Sequence, residues 1–233
     1  MRDRTVLITG ATQGIGAATA ERLAAAGARL VLTARRAERL EEGAARLGCD
    51  WVAVDLDAPG GVAALMAGVR DRIGGVPDAV VHAAGAFVLA GAEATDPGDL
   101  ERMLELNLRV PFALARACLP AMKARGQGHL VHVGSVAGRK AFPGNAGYSA
   151  SKFGLRGLHE VLVEELAGTG VRSTLIEPAA VDTPLWDPID PDTDPHLPSR
   201  SRMLQPADVA DVVFFALTRP DSVVVPLIQV QRA

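Results

Sequence analysis

Tyr148 and Lys152 stand four positions apart in Tyr148-Ser149-Ala150-Ser151-Lys152, and Ser135 follows the apolar run Leu130–Gly134. Four apart on a helix means one face. A phenol, with a reference pKa of about 10, serves as an acid or base at neutral pH only beside positive charge that stabilises its phenolate. Lys152 would supply that charge, and the Ser135 hydroxyl could hold and polarise a carbonyl oxygen. The chemistry that fits is general acid–base catalysis: Tyr148 gives a proton to a carbonyl oxygen during reduction and takes it back from a hydroxyl during oxidation. The chain has only one tyrosine, so no second phenol competes for the role.

A second constellation opens the chain. Thr9-Gly10-Ala11-Thr12-Gln13-Gly14-Ile15-Gly16 follows the apolar run Thr5-Val6-Leu7-Ile8 and leads directly into a helical pattern. Glycines at a strand-to-helix turn let backbone approach a phosphate closely, with the helix N-terminus facing the anion. Arg35 and Arg36 follow the second apolar run, where a dinucleotide fold uses either an acid for the ribose 2′-hydroxyl or a base for a 2′-phosphate. Cations at a helix start oppose its dipole, and a bound phosphate reverses that penalty, so NADP is favoured over NAD. After the third run, Asp55 and Leu56 are placed at the same edge, Asp55 to accept from an adenine amino group and Asp57 to cap a helix.

Asn107 falls inside a helical stretch that contains Pro111. Proline has no N–H for the carbonyl four residues back, so the Asn107 carbonyl is released and a kink is expected. A water on that carbonyl would link Lys152 to solvent.

The elements that must position these residues alternate. Short runs rich in β-branched residues (Val6–Thr9, Arg29–Thr33, Trp51–Val54, Ala79–His82, Leu130–Gly134, Arg172–Ile176, Val223–Val230) are separated by helical patterns near 15–26, 37–47, 59–73, 97–125, 148–168 and 206–218. That order predicts an α/β fold, a doubly wound parallel sheet of seven strands with helices on both faces. Gly27 and Gly48 stand where helix C-caps belong, and Asp96-Pro97 reads as a helix start. With 233 residues the expectation is one domain, residues 1–233.

These residues together resemble the short-chain dehydrogenase/reductase family, in order and along nearly the whole chain: T-G-x-x-x-G-x-G at Thr9–Gly16, then Asn107, Ser135 and Y-x-x-x-K at Tyr148–Lys152. The resemblance implies a Rossmann-type fold, a nicotinamide cofactor and an Asn-Ser-Tyr-Lys tetrad on Asn107, Ser135, Tyr148 and Lys152. It also implies that Lys152 holds the nicotinamide ribose, with further cofactor contacts at Tyr148, Ala83, Ala84, Gly85, Val181 and Thr183. Arg35 resembles the NADP-preferring members, and a homotetramer or homodimer is implied. Two positions depart from the family's pattern. Ala83 stands where asparagine is common, removing a strut to the neighbouring strand, and Ala179 stands where glycine is usual.

The stretch of residues 184–205 carries Asp-Pro repeats and no periodicity, and is expected to act as a substrate lid. Leu185, Trp186, Phe87 and Phe142 could give it an apolar wall. A net charge of -3 with scattered basic residues argues against nucleic acid as a partner and points to a small-molecule carbonyl or alcohol. Met1–Arg4 runs straight into the apolar stretch Thr5–Thr9, which is too short for a signal peptide and lacks a cleavage region, and Cys49 and Cys118 lack metal-ligand spacing, so a cytoplasmic protein with no membrane partner and no metal is expected. His129 and His132 should face opposite sides of a strand. A catalytically idle NADP-binding regulator of the same fold is the alternative, which the presence of both Tyr148 and Lys152 opposes. A sugar-nucleotide epimerase or dehydratase would usually carry a longer chain and T-G-x-x-G-x-x-G.

Overall fold

The computed structural model describes Met1 and residues 4–233. Its strands are β1 (Thr5–Thr9), β2 (Arg29–Ala34), β3 (Asp50–Ala53), β4 (Ala79–His82), β5 (Gly128–Val133), β6 (Val171–Pro178) and β7 (Leu227–Val230). All pair in parallel, in the order β3-β2-β1-β4-β5-β6-β7. The order reverses between β1 and β4, which opens a crevice at the carboxyl ends of those strands. This is the doubly wound, Rossmann-type sheet.

Alternation within the strands divides the core. Val6, Ile8, Leu30, Leu32 and Val81 join one buried cluster with Leu23 and Val213. Their helices are α1 (Gly14–Ala25), α2 (Ala37–Leu47) and α7 (Pro206–Leu217). Leu7, Val31, Val80 and Leu130 point the other way and join Leu65, Leu114 and Leu162. These belong to α3 (Gly61–Ile73), α5 (Val110–Ala124) and α6 (Ala146–Leu166). Each such side chain taken from water contributes roughly 1.5–3 kcal/mol.

Several boundaries differ from the sequence expectation for physical reasons. The stretch 97–125 is α4 (Pro97–Leu104), a π-helical turn (Glu105–Arg109) and then α5. The Val110 N–H reaches five residues back to the Glu105 carbonyl, so the kink expected near Pro111 takes the form of a π-bulge. β7 begins only at Leu227, because Pro226 has no N–H for the ladder, although its carbonyl accepts from Leu175 at 2.8 Å. Asp57 does not cap α3, which starts from Gly60; it lies 3.4 Å from Arg102.

The α6 side of the sheet also buries imidazoles. His82 and His132 stack at 4.7 Å with rings 6° apart, while His129, on the opposite face of β5 with Val131 as the alternation requires, meets the Thr174 hydroxyl at 2.9 Å. Burial pushes His82 and His129 down to about 3 and His132 well below the usual imidazole range, so all three are neutral.

Candidate active site

Four candidate catalytic residues converge at the carboxyl edge of β4 and β5. Tyr148 sits in the first turn of α6 and Lys152 one turn on, its Nζ donating to the Val133 carbonyl at 3.0 Å and lying 5.7 Å from the Tyr148 ring centroid. Ser135 follows β5, and its Oγ accepts from the Ala137 N–H at 3.1 Å. Burial pushes the Tyr148 phenol up to about 12, with the Ser135 hydroxyl pulling the other way, and burial brings the Lys152 amine down to about 8. At neutral pH the phenol therefore keeps its proton, and the amine keeps most of its charge.

Asn107, in the π-helical turn, is 1% exposed and its side chain is fully used. Its Oδ1 accepts from the Ala86 N–H at 3.0 Å; its Nδ2 donates to the Ala86 carbonyl and to Ser151 Oγ, both at 2.9 Å. Ser151 Oγ in turn donates to the Tyr148 carbonyl at 2.7 Å. The side chain thus fastens the segment after β4 to the first turn of α6. Sequence reasoning gave Asn107 only a carbonyl role and missed Ala86 and Ser151; the signal for Ser151 was its place one residue before Lys152.

The glycine turn forms a cradle. A Cβ on Gly10, at φ +67, would lie 2.8 Å from Ala84 Cα, and one on Gly16 would collide with the Gly10 carbonyl. Gly14, at φ +54, faces the Thr183 methyl, so the turn and the segment after β6 close on each other. A side chain on Gly85 would run into Asn107 Oδ1 at 2.8 Å. Thr9 Oγ1 accepts from the Ala83 and Ala84 N–H groups at 3.1 and 3.0 Å, so backbone bonds tie this segment to β1 whatever side chain stands at position 83. Ala179 fits without glycine's freedom, since Asp190 is the sole non-glycine residue at positive φ among those described.

This cradle suits a nucleotide phosphate. Helix α1 begins at Gln13 with no side-chain cap and no acidic residue in its first turn, as α3 and α6 also do, but it alone starts from the glycine turn at the carboxyl edge of β1. Its first N–H groups are left for an anion. Arg35 and Arg36 are exposed, and neither has an ion-pair partner among the described residues. Asp55 Oδ1 accepts from the Asp57 N–H at 3.2 Å. Leu56 and Val181 are buried in the core, so their side chains do not line the crevice; Val181 bridges to Leu204. Thr12 is partly buried, Gln13 is exposed and Ile15 packs against the core.

Residues 184–205 fold into three short 3-10 turns, Pro184–Trp186, Pro191–Thr193 and Arg200–Arg202. Arg200 donates to Asp182 and Asp187 at 2.7 Å each. Phe87 lies edge-on to Tyr148 at 4.8 Å and to Trp186 at 5.0 Å. Of the four residues expected to form a wall, these two reach the site, while Leu185 is exposed and Phe142 lies beneath Lys140.

The family model for short chain dehydrogenase matches residues 4–194. The chain belongs to this family. It is 34% identical over 233 residues to an uncharacterized oxidoreductase of Listeria monocytogenes, an alignment covering 96% of this chain and 94% of that one. A metagenomic short-chain oxidoreductase solved in complex with NADP superimposes with a TM-score of 0.84 at 31% identity, covering 100% and 98% of the two chains. An alcohol dehydrogenase of the archaeon Thermococcus sibiricus, complexed with 5-hydroxy-NADP, gives 0.86 at 29% identity over 99% and 98%. This short-chain dehydrogenase is accordingly an NAD(P)-dependent oxidoreductase. Among its described residues no helix is long and apolar enough to cross a membrane, and no cluster of three His, Cys, Asp or Glu side chains could hold a metal ion.

Proposed function

We propose that the chain is an NADP(H)-preferring oxidoreductase that transfers a hydride between nicotinamide and a carbonyl or secondary alcohol carbon. The observation that carries this reading is the convergence of Ser135, Tyr148 and Lys152 above a glycine cradle flanked by two arginines that have no ion pair among the described residues. When bound, the nicotinamide supplies or accepts the hydride; the chain's own residues handle the proton and the oxygen.

Tyr148, protonated at neutral pH, donates to the carbonyl oxygen while the Ser135 hydroxyl holds that oxygen in place. The ammonium of Lys152 steadies the phenolate left behind and orients the nicotinamide ribose. The Asn107 carbonyl, beside the π-bulge, holds the water through which Lys152 regains a proton from solvent. Oxidation runs the same steps in reverse. The second-strand arginines, Arg35 foremost, take the 2′-phosphate; Gly10, Thr12, Gln13, Gly14, Ile15 and Gly16 wrap the pyrophosphate; Asp55 and the Leu56 backbone meet the adenine. Ala83, Ala84, Gly85, the Val181 backbone and Thr183 complete the crevice.

In this reading residues 1–233 work as one cofactor-binding and catalytic domain, with 184–205 as its lid. The partner is a small carbonyl or alcohol, in the cytoplasm. Exposed Phe112 on α5 and Phe153 and Val161 on α6 support a homodimer or homotetramer built on those helices. The direct test follows cofactor fluorescence as NADPH and NADH are titrated into wild type and Arg35→Asp, then assays a carbonyl panel with wild type and Tyr148→Phe. Tighter NADPH binding that Arg35→Asp erases, with turnover that needs Tyr148, is the expected result. Equal affinity for the two cofactors refutes the phosphate preference, and binding without turnover refutes the carbonyl chemistry.

A further inference from the structure

The approach to Tyr148 is walled by two aromatic rings and is short of available cations. Phe87 packs edge-on against the Tyr148 ring, and Trp186 packs edge-on against Phe87, at 4.8 and 5.0 Å. Phe87 comes from the segment that Asn107 fastens through Ala86, so its place is set by buried hydrogen bonds. Trp186 comes from the lid, in the 3-10 turn that follows Thr183. A group entering beside the phenolic oxygen therefore meets π-faces and ring edges from both a fixed and a movable side.

Most of the cations nearby are engaged; Arg202 is exposed to water and makes no ion pair among the described residues. Residues 182–205 carry five aspartates against two arginines. Arg200 is forked between Asp182 and Asp187, and its backbone N–H donates to Asp192 at 2.8 Å. Arg139, four residues after Ser135, is held by Glu177 at 3.2 Å, a carboxylate 1% exposed that Arg156 also pairs at 3.0 Å. Lys140 lies over the Phe142 ring. A substrate carboxylate or phosphate would enter a field of aspartates with these cations already engaged. A cationic substrate gains little either, because Asp182 and Asp187 are paired with Arg200 while Asp190, Asp192 and Asp194 are exposed to water.

We propose that the substrate is an uncharged ketone or aldehyde whose carbonyl is attached to a flat aromatic ring, sandwiched between Phe87 and the lid residue Trp186. Ring pairs in offset or edge-on geometry gain attraction beyond their buried area, which a saturated ring of equal size does not receive. Trp186 moves aside to admit the substrate and closes on it, so it sets specificity and excludes water. The inference rests on the carbonyl chemistry proposed above.

The test compares four ketones with NADPH as reductant: acetophenone, cyclohexyl methyl ketone, 4-acetylbenzoate and (4-acetylphenyl)trimethylammonium. Acetophenone is expected to exceed cyclohexyl methyl ketone about tenfold in kcat/KM, and to exceed both charged analogues by at least about as much. In Phe87→Ala and in Trp186→Ala the aryl-to-cyclohexyl ratio should fall toward one, and Trp186→Phe should restore most of it. A readout independent of turnover uses Trp51→Phe, which leaves Trp186 as the only tryptophan of the chain. With NADPH bound, 1-phenylethanol should change its emission saturably and 1-cyclohexylethanol should not at equal concentration.

Reduction of all four ketones without an aryl preference, or with a charged analogue favoured, overturns this inference and leaves the proposed function standing. NADPH binding with no ketone or aldehyde reduced overturns both. A ratio that survives both alanine variants overturns the assignment of Phe87 and Trp186.

Discussion

The proposed catalytic half of the site and its proposed nucleotide half are built in opposite ways. Around Tyr148 the key polar groups have partners: Asn107 makes three side-chain hydrogen bonds, Lys152 holds the Val133 carbonyl, and Ser151 holds the Tyr148 carbonyl. Glu177 is paired by two arginines, one of them on the segment that follows Ser135. Around the glycine turn the reverse holds. Helix α1 has no cap, and Arg35 and Arg36 stand exposed with no carboxylate partner among the described residues. Acid–base chemistry needs its groups fixed before the reaction, so folding supplies that order in advance. Phosphate recognition needs donors that are free until the ligand arrives, so the fold leaves them unsatisfied and exposed, where water keeps the cost low.

The sharpest way to separate the halves is Tyr148→Phe. Carbonyl reduction should fall by about a thousandfold, while cofactor affinity, read from NADPH fluorescence, should change far less. Comparable losses in both would mean that the halves are not separable.

Asn107→Ala addresses the rigidity of the catalytic half. It strands the Ala86 N–H and carbonyl in a buried place, and a loss of about 2–4 kcal/mol in urea unfolding is expected. A loss under about 0.5 kcal/mol would show that the network adds no order. Arg35→Asp addresses the other half, and should weaken NADPH about 100-fold with little effect on NADH or on unfolding. A stability loss of the size seen with Asn107→Ala would contradict the picture of an arginine held free for its ligand.

The smallest effect is in the pH profile. In the proposed mechanism reduction requires the Tyr148 proton and the Lys152 charge, and burial lowers the amine to about 8 while raising the phenol to about 12. As pH rises through about 8 the amine loses its charge first. At saturating NADPH, kcat should be level below that point and then fall about tenfold per unit. Lys152→Arg should move the break upward, and an unmoved break would assign it to another group.

Much of the fold was legible because its signals are local. The second helix, residues 37–47, and the strand Ala79–His82 fall where patterning put them, and the Gly48 C-cap adopts the left-handed conformation that its position called for. The exceptions have local causes that act through hydrogen bonding, such as the π-bulge before Pro111 and the late start of β7 after Pro226. The two family departures were legible as substitutions but not in their consequences. That the Thr9 hydroxyl ties the backbone at position 83 to β1 depends on the pairing of β1 with β4, which joins residues more than seventy positions apart.

What the sequence by itself determined is whatever a period of two or of 3.6 residues can encode: seven short apolar strands, the glycine turn at the head of a helix, and a tyrosine and a lysine on one helical face. The tertiary structure decided which of these meet. Strand order brings Asn107 to Ala86 and Ser151, seats Phe87 between Tyr148 and Trp186, and sets Gly14 against Thr183. Those encounters follow from how parallel strands with crossover helices stack in space. No pattern of spacing along the chain carries that information, because the partners are separated by whole elements whose packing fixes the distance between them.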